Sequence, residues 1–388
     1  MMSHVFPTYA RWNIAPDYGK GSWLTATDGT TYLDFTSGIG VTGLGHRHPK
    51  VEAAIIKQLQ KYYHTSNLFQ QPNQEALAEQ LSNVTGLGAA FFANSGAEAN
   101  EAAIKLAKKA TGKSKVITCN GSFHGRTYAT MGATGQEKVR IGYGPMLSSF
   151  AYVDFNNSEQ LQDAVDDQTA AIMVEIIQGE GGINLITEAF VATINEVAKK
   201  TGALIIIDEI QTGVGRTGKP FAYQHFDIQP DIVTVAKGLG NGLPIGAMLG
   251  KQELIQYFGP GSHGSTFGGN PVSTAAALAV VEEVFEEAFL QEVTTKGEFL
   301  KKQLIEKLKD QVTVKDVRAV GLMVGIDLVD KVKAASIIAE LQNQALLVLP
   351  AGQNVIRLLP PLNVTEEEIT IAVDKLTAII KQQVETAK

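Results

Sequence analysis

The chain has 388 residues, 44% of them hydrophobic and 19% charged, which excludes a disordered, collagenous or coiled-coil protein and leaves room for two or three domains. Its 33 basic and 40 acidic residues give a formal net charge of −7, unfavourable for nucleic-acid binding, which needs clustered positive charge. The 38 glycines, with no matching excess of proline, point to tight turns and close backbone approaches. The densest basic run, KLAKKATGKSK at 105–115, reads as a solvated helix face and its last turn. The single cysteine, Cys119, cannot form an intramolecular disulfide, so a reducing compartment is expected. The opening MMSHVFPTYARWN lacks a basic stretch followed by an apolar one, and no uncharged apolar run reaches about 18 residues. Neither a cleaved leader nor a membrane span is expected, and the cytoplasm is the expected location.

In chain order, SWLTATDGTTYLDF (22–35) reads as a β-hairpin turning at Asp28-Gly29. Residues 50–63 and 73–86 carry the 3.6-residue period of helices, the second closed by Gly86. From about 90 the pattern alternates short apolar runs with helical segments. AAFFAN (89–94) precedes a helix from Gly96, with Glu101 and Lys105 spaced i, i+4. KVITC (115–119), AAIMVE (170–175), ALIIID (203–208), DIVTVAK (231–237) and IGAMLG (245–250) are the further strands, with a helix at 187–202. Near-continuous Val, Ile and Leu implies burial on both faces, as in a parallel sheet covered by helices. The fold class is therefore α/β. A large domain with a mostly parallel sheet between helices is expected over 51–290. A smaller α+β domain is expected over 291–388, with the segment 1–50 packing against it. That C-terminal part offers a helix near 298–310, strands near 321–329, 345–350 and 355–360, and a terminal helix from 366.

Two GxGxxG matches, Gly38/Gly40/Gly43 and Gly213/Gly215/Gly218, lack the strand, turn and helix context of a dinucleotide site. No GxxxxGK[ST] loop occurs, and His46 and His48 lack the spacing and carboxylate company of a metal site, so no metal is expected.

Four features gain meaning together. Asn94-Ser95-Gly96-Ala97 lies between a strand and a helix start, suited to a phosphate or to a plain N-cap. Asp208 ends an apolar strand, where a carboxylate wants a cationic partner, a metal or a helix to cap. Lys237 leaves another apolar strand, either as a desolvated amine nucleophile or as a lysine reaching for solvent. Ser265 and Thr266 sit in SHGSTFGGNP, a loop suited to phosphate or to capping. An anion cradle, an acid for a buried cation and an amine nucleophile jointly suit pyridoxal 5′-phosphate.

At these residues the sequence resembles the class III, fold-type I pyridoxal-phosphate aminotransferases. The likeness runs from YLDFTSGIGVTGLGHRHP through NSGAEAN, SFHGRTYA, VEIIQGEGGIN, IIIDEIQTGVGRTG, TVAKGLGNGLPIGA and GSTFGGNP to NVIRLLPPL. Within the class, SFHGRTY, QGEGGIN, FAYQHF and PAGQNVIRLLPPL are most similar to the subgroup acting on N-acetylornithine. The resemblance implies that Lys237 holds the cofactor covalently and shuttles a proton. It implies that Asp208 pairs with the ring nitrogen, Gln211 with the ring hydroxyl, and Phe123 with the ring face. Ser95, Gly96 and Ala97 would bind phosphate, and Thr266 with Ser265 would reach the site of a second subunit in a homodimer. Arg126 would take the carboxylate distal to the reacting amine, and Arg357 the α-carboxylate of glutamate. Glu180 would mask Arg357 when the ω-amine substrate binds. The implied reaction converts N-acetyl-L-ornithine and 2-oxoglutarate to N-acetyl-L-glutamate 5-semialdehyde and L-glutamate, as in arginine biosynthesis. Succinylornithine and ornithine remain alternative substrates, as does another ω-amine of the kind the same class handles. Gly96, Gly179, Gly181, Gly238, Gly240, Gly268 and Gly269 are expected in loops facing the cofactor, where side chains would obstruct it.

Overall fold

Seven strands form the central sheet of the computed structural model, which describes residues 4–386. Residues 1–3, within the stretch inspected for a leader, lie outside the described residues. The strand order is Ala89–Ala93, Gly246–Gly250, Ile232–Val235, Leu204–Asp208, Thr169–Val174, Lys115–Cys119 and Phe150–Val153. All neighbours are parallel except Gly246–Gly250, which runs antiparallel to both of its partners. Every residue of Thr169–Val174 and of Ile232–Val235 is buried, as the unbroken apolar runs require of a sheet covered on both faces. Helices Gly96–Thr111 and Glu188–Thr201 each end on a left-handed glycine, Gly112 and Gly202.

Two four-stranded sheets flank this core, and a two-stranded hairpin pairs Ile177–Gln178 with Asn184–Leu185. Pro16–Lys20, Trp23–Ala26 and Thr31–Asp34 form an antiparallel meander, the expected hairpin with one extra strand. Its last strand pairs in parallel with Leu346–Leu347, so the two ends of the chain share a sheet. Val314–Val320, Met323–Leu328, Val355–Leu358 and Leu349–Ala351 form the second, wholly antiparallel sheet. Helices Glu287–Leu308 and Ala334–Asn343 pack against it, and Glu366–Thr386 packs on these two helices.

Several elements depart from the sequence-based expectation. Phe150–Val153 and Val314–Val320 are strands at sheet edges, where partial exposure weakens the apolar signal. The helix expected from 298 begins at Glu287 and runs through Gly297. That glycine is demanded by packing, since a Cβ there would run into the backbone of Gly321. Glu101 and Lys105 do not pair. Glu101 Oε1 instead accepts from the hydroxyl of Thr127 at 2.6 Å and from the N–H of Ala129 at 3.1 Å, while Lys105 Nζ meets His263 Nδ1 at 2.9 Å.

Candidate active site

Loops leaving the carboxyl ends of the parallel strands enclose a cavity of about 420 Å³, within the roughly 300–1,000 Å³ range of small-molecule sites. Nine of the twelve residues proposed from sequence line it: Ser95, Gly96, Ala97, Phe123, Arg126, Glu180, Asp208, Gln211 and Lys237. Arg357 lies just behind the lining, and Ser265 and Thr266 lie outside it.

Lys237 sits two residues beyond the strand Ile232–Val235 and opens a short 3-10 turn, Lys237–Gly240, with φ 43°. A left-handed lysine is strained, and such strain persists where surrounding structure fixes a functional side chain. Among the described residues no hydrogen-bond acceptor engages its Nζ. Burial pushes its pKa below the ordinary lysine range, with the positive charge of Arg357 adding to the effect and the negative charge of Glu180 opposing it. A desolvated, unpaired amine is a nucleophile and a proton carrier.

Asp208 closes the strand Leu204–Asp208 and is 3% exposed. Its Oδ2 accepts from His124 Nδ1 at 2.7 Å and Asn100 Nδ2 at 2.8 Å, and its Oδ1 from the N–H of Ile210 at 3.0 Å. Three donors offset the cost of burying the carboxylate and fix its plane. Asn100 is itself held, its Oδ1 accepting from the Thr234 hydroxyl at 2.7 Å.

Glu180 and Arg357 form the second polar centre. Arg357 comes from the antiparallel sheet, is 2% exposed, and reaches the central cavity through Nη1. That nitrogen donates to Glu180 Oε1 at 2.6 Å, to the Gly179 carbonyl at 2.9 Å and to Gln211 Oε1 at 2.9 Å. Burial raises the pKa of Glu180, but the adjacent Arg357 guanidinium outweighs it and holds the carboxyl below the usual glutamate range.

The helix Gly96–Thr111 starts at the cavity. Its N-cap Ser95 accepts from the N–H of Glu98 at 3.2 Å, so the capping role is real. The N–H groups of Gly96 and Ala97 have no acceptor within their own helix and remain available to an anion. Phe123 lines the same cavity, and the exposed Arg126 stands at its edge, 5.6 Å from the Phe123 ring centroid. Ser265 Oγ accepts from Asn94 Nδ2 at 3.0 Å, and Thr266 is exposed.

Three residues escaped the sequence reading: Asn100, His124 and Glu175. His124 lies inside SFHGR, Asn100 is a polar residue on an otherwise buried helix face, and Glu175 directly follows an apolar strand where Asp208 closes one. Burial, and after it the charge of Asp208, push the Glu175 carboxyl well above the usual range. The glycine expectation needs correction. Gly96 lines the cavity, but Gly179, Gly181, Gly238, Gly240, Gly268 and Gly269 do not. At most of these positions the missing side chain makes room for protein. A Cβ on Gly268 would meet the Phe92 carbonyl, and one on Gly179 the Gln211 carboxamide.

An amine at Lys237, a held carboxylate at Asp208, a helix N-terminus and an aromatic face converge on one cavity. The sequence profile of the family described as Aminotransferase class-III matches residues 7–380. The chain belongs to this family. The acetylornithine aminotransferase of Halalkalibacterium halodurans is 56% identical over 381 residues, 98% of this chain and 99% of that protein. Among solved structures, the N-acetylornithine aminotransferase from Stenotrophomonas maltophilia has a TM-score of 0.85 and 34% identity, covering 97% of this chain and 98% of that one. A structure of the ornithine aminotransferase from Toxoplasma gondii, described with partial occupancy of PLP at its active site, has a TM-score of 0.94 and 30% identity, covering 99% and 93%. Aminotransferases of this class depend on pyridoxal phosphate, and the residues of the cavity fit it. Asp208 would hold the ring nitrogen, Gly96 and Ala97 the phosphate, Phe123 the ring face and Lys237 the aldehyde carbon. Among the described residues no helix is long and apolar enough to cross a membrane.

Proposed function

We propose that the enzyme transfers the δ-amino group of N-acetyl-L-ornithine to 2-oxoglutarate, giving N-acetyl-L-glutamate 5-semialdehyde and L-glutamate in arginine biosynthesis. The observation carrying this reading is the 2.6 Å pair of Glu180 and Arg357 beside the cavity, with the exposed Arg126 at its edge. An ω-amine substrate brings one carboxylate, far from its reacting amine, and Arg126 suits it as a bidentate donor. Glutamate brings a second carboxylate beside the reacting carbon. It needs Arg357 uncovered, which requires Glu180 to move away.

Pyridoxal phosphate supplies an electron sink for the carbanion at the substrate carbon. The Lys237 Nζ, its pKa lowered by burial, takes the proton from that carbon and returns it. Asp208 keeps its charge directed at the cofactor through His124, Asn100 and the Ile210 N–H. Gln211, held by Arg357, stands ready for the ring hydroxyl.

The same reading makes the protein a homodimer with shared active sites. Ser265 and Thr266, outside this chain's own cavity, then serve the neighbouring subunit, and the exposed Phe267 beside them supports a covered surface. It also divides the chain into a large cofactor domain (51–290) and a small domain (291–388) joined by the segment 1–50, which the Leu33–Leu346 pairing supports. The cytoplasm is the proposed location, supported by a lone, buried cysteine. The TM-score of 0.94 to an ornithine aminotransferase favours free ornithine as the second candidate substrate. The test is kcat/KM for acetylornithine, succinylornithine, ornithine and 4-aminobutyrate with 2-oxoglutarate. Acetylornithine is expected to lead, and a preference for ornithine of about tenfold or more, roughly 1.4 kcal/mol of transition-state binding, would overturn the assignment.

A further inference from the structure

The loop carrying Glu180 is anchored by a carboxyl that the scheme above leaves without a role. Glu175 directly follows the strand Thr169–Val174, is 7% exposed and lines the same cavity as Asp208 and Glu180. Its Oε2 accepts from the backbone N–H of Phe123 at 3.2 Å, and its Oε1 from that of Gly179 at 3.4 Å. Gly179 is held on its other side as well, its carbonyl accepting from Arg357 Nη1 at 2.9 Å. A side chain on Gly179 would run into the Gln211 carboxamide. The residue before Glu180 is therefore fixed on three sides. On its other side the Glu180 carbonyl accepts from the Gly352 N–H at 2.8 Å and the Gly181 carbonyl from Asn184 Nδ2 at 3.1 Å, so the backbone is held there too and the Glu180 side chain is the part left to move. Backbone held on both sides of Glu180 makes its side chain the moving arm of a hinge, swinging toward or away from Arg357 while the loop stays in place.

A buried carboxyl beside another carboxylate is costly, and the Phe123 and Gly179 N–H groups offset part of that cost. We propose that Glu175 is a positioning residue for substrate alternation: it anchors the Gly179 backbone about which the Glu180 side chain hinges to cover or uncover Arg357, and it ties that backbone to the Phe123 loop. This rests on the alternation of Glu180 and Arg357 given above. With the anchor present, Glu180 covers Arg357 in a single geometry while the ω-amine substrate is bound. Without it, the cover becomes partial. The half-reaction that needs Arg357 covered then loses more than the one that needs it open.

The two half-reactions of the cofactor-loaded enzyme, followed separately by cofactor absorbance, test this. The readout is kcat/KM for acetylornithine divided by kcat/KM for glutamate. Glu175→Ala is expected to lower this ratio about tenfold, the scale of one lost hydrogen bond. An equal loss in both half-reactions would mean plain structural support and would overturn the proposal. Glu180→Gln serves as the reference. If it leaves the ratio unchanged, the alternation itself is wrong and the hinge falls with it. If it lowers the ratio while Glu175→Ala does not, the hinge alone is wrong. In the double variant the Glu175→Ala effect on the ratio should disappear, and full additivity would also count against the proposal. Should the alanine variant fail to fold, Glu175→Gln preserves volume and one acceptor. It is expected to shift the ratio about threefold in the same direction, and no shift would overturn the hinge.

Discussion

His124 Nδ1 lies 2.7 Å from Asp208 Oδ2, with both side chains buried. With the carboxylate as acceptor Nδ1 donates, and the buried Nε2 has no partner among the described residues. This contact bears on the cofactor because Asp208 must hold one orientation to meet a ring nitrogen. His124→Phe preserves bulk and removes the donor, leaving Asp208 with Asn100 and the Ile210 N–H. A hydrogen bond to a charged group contributes about 1.5–3 kcal/mol, so a roughly 10- to 100-fold loss of kcat/KM is expected, with weakened retention of pyridoxal phosphate. Steady-state kinetics and cofactor release on dialysis measure both, and unchanged values would make the contact dispensable.

Glu180→Gln keeps the size of the switch residue and removes the charge that pairs with Arg357 at 2.6 Å. Arg357 is then buried without its counter-charge and competes for the wrong carboxylate. The acetylornithine half-reaction is expected to fall about tenfold or more relative to the glutamate half-reaction. Equal losses, read from single-turnover absorbance changes, would argue that Glu180 does not alternate.

Asp208, Lys237 and Ser95-Gly96-Ala97 were legible in the sequence because each stands at a strand end or helix start, positions that a local pattern marks. Arg357 was legible only through family resemblance. Its side chain reaches the cavity from a strand of another sheet, a relation that no local spacing encodes. The Asn100–Asp208 bond joins residues 108 positions apart, and the His124–Asp208 bond joins residues 84 apart. Each residue alone resembles an ordinary capping or core polar group. The glycines misled for a related reason. Composition reports that the backbone comes close to something, but not whether that something is ligand or protein.

Lys237 is the amine on which the chemistry depends. Purified enzyme is expected to be yellow, and borohydride is expected to fix the cofactor to Lys237 alone. Lys237→Ala should lose kcat by at least about 10³-fold, since it removes both the nucleophile and the proton carrier. Peptide mapping of the reduced protein decides the point, and a labelled peptide without Lys237 would refute the assignment.

Glu209, next to Asp208, makes stability depend on pH. It is fully buried, its Oε1 accepting from the Tyr223 N–H at 2.7 Å and its Oε2 from the Thr212 hydroxyl at 2.5 Å. Burial is the largest influence on its carboxyl. The hydrogen bonds oppose it and the charge of Asp208 adds to it, and the result is a pKa pushed up to about 7 from 4.5. The folded state therefore binds a proton that the unfolded chain has released between these values. The stabilisation is fully present below 4.5 and is lost as pH rises through about 7. Glu209→Gln keeps the volume, keeps an oxygen for the Tyr223 N–H, and does not titrate. Between about pH 5 and pH 8 the parent should lose on the order of 2–3 kcal/mol of stability relative to this variant. Thermal unfolding of both proteins at the two pH values measures it, and parallel shifts in Tm would show that Glu209 does not titrate in that window.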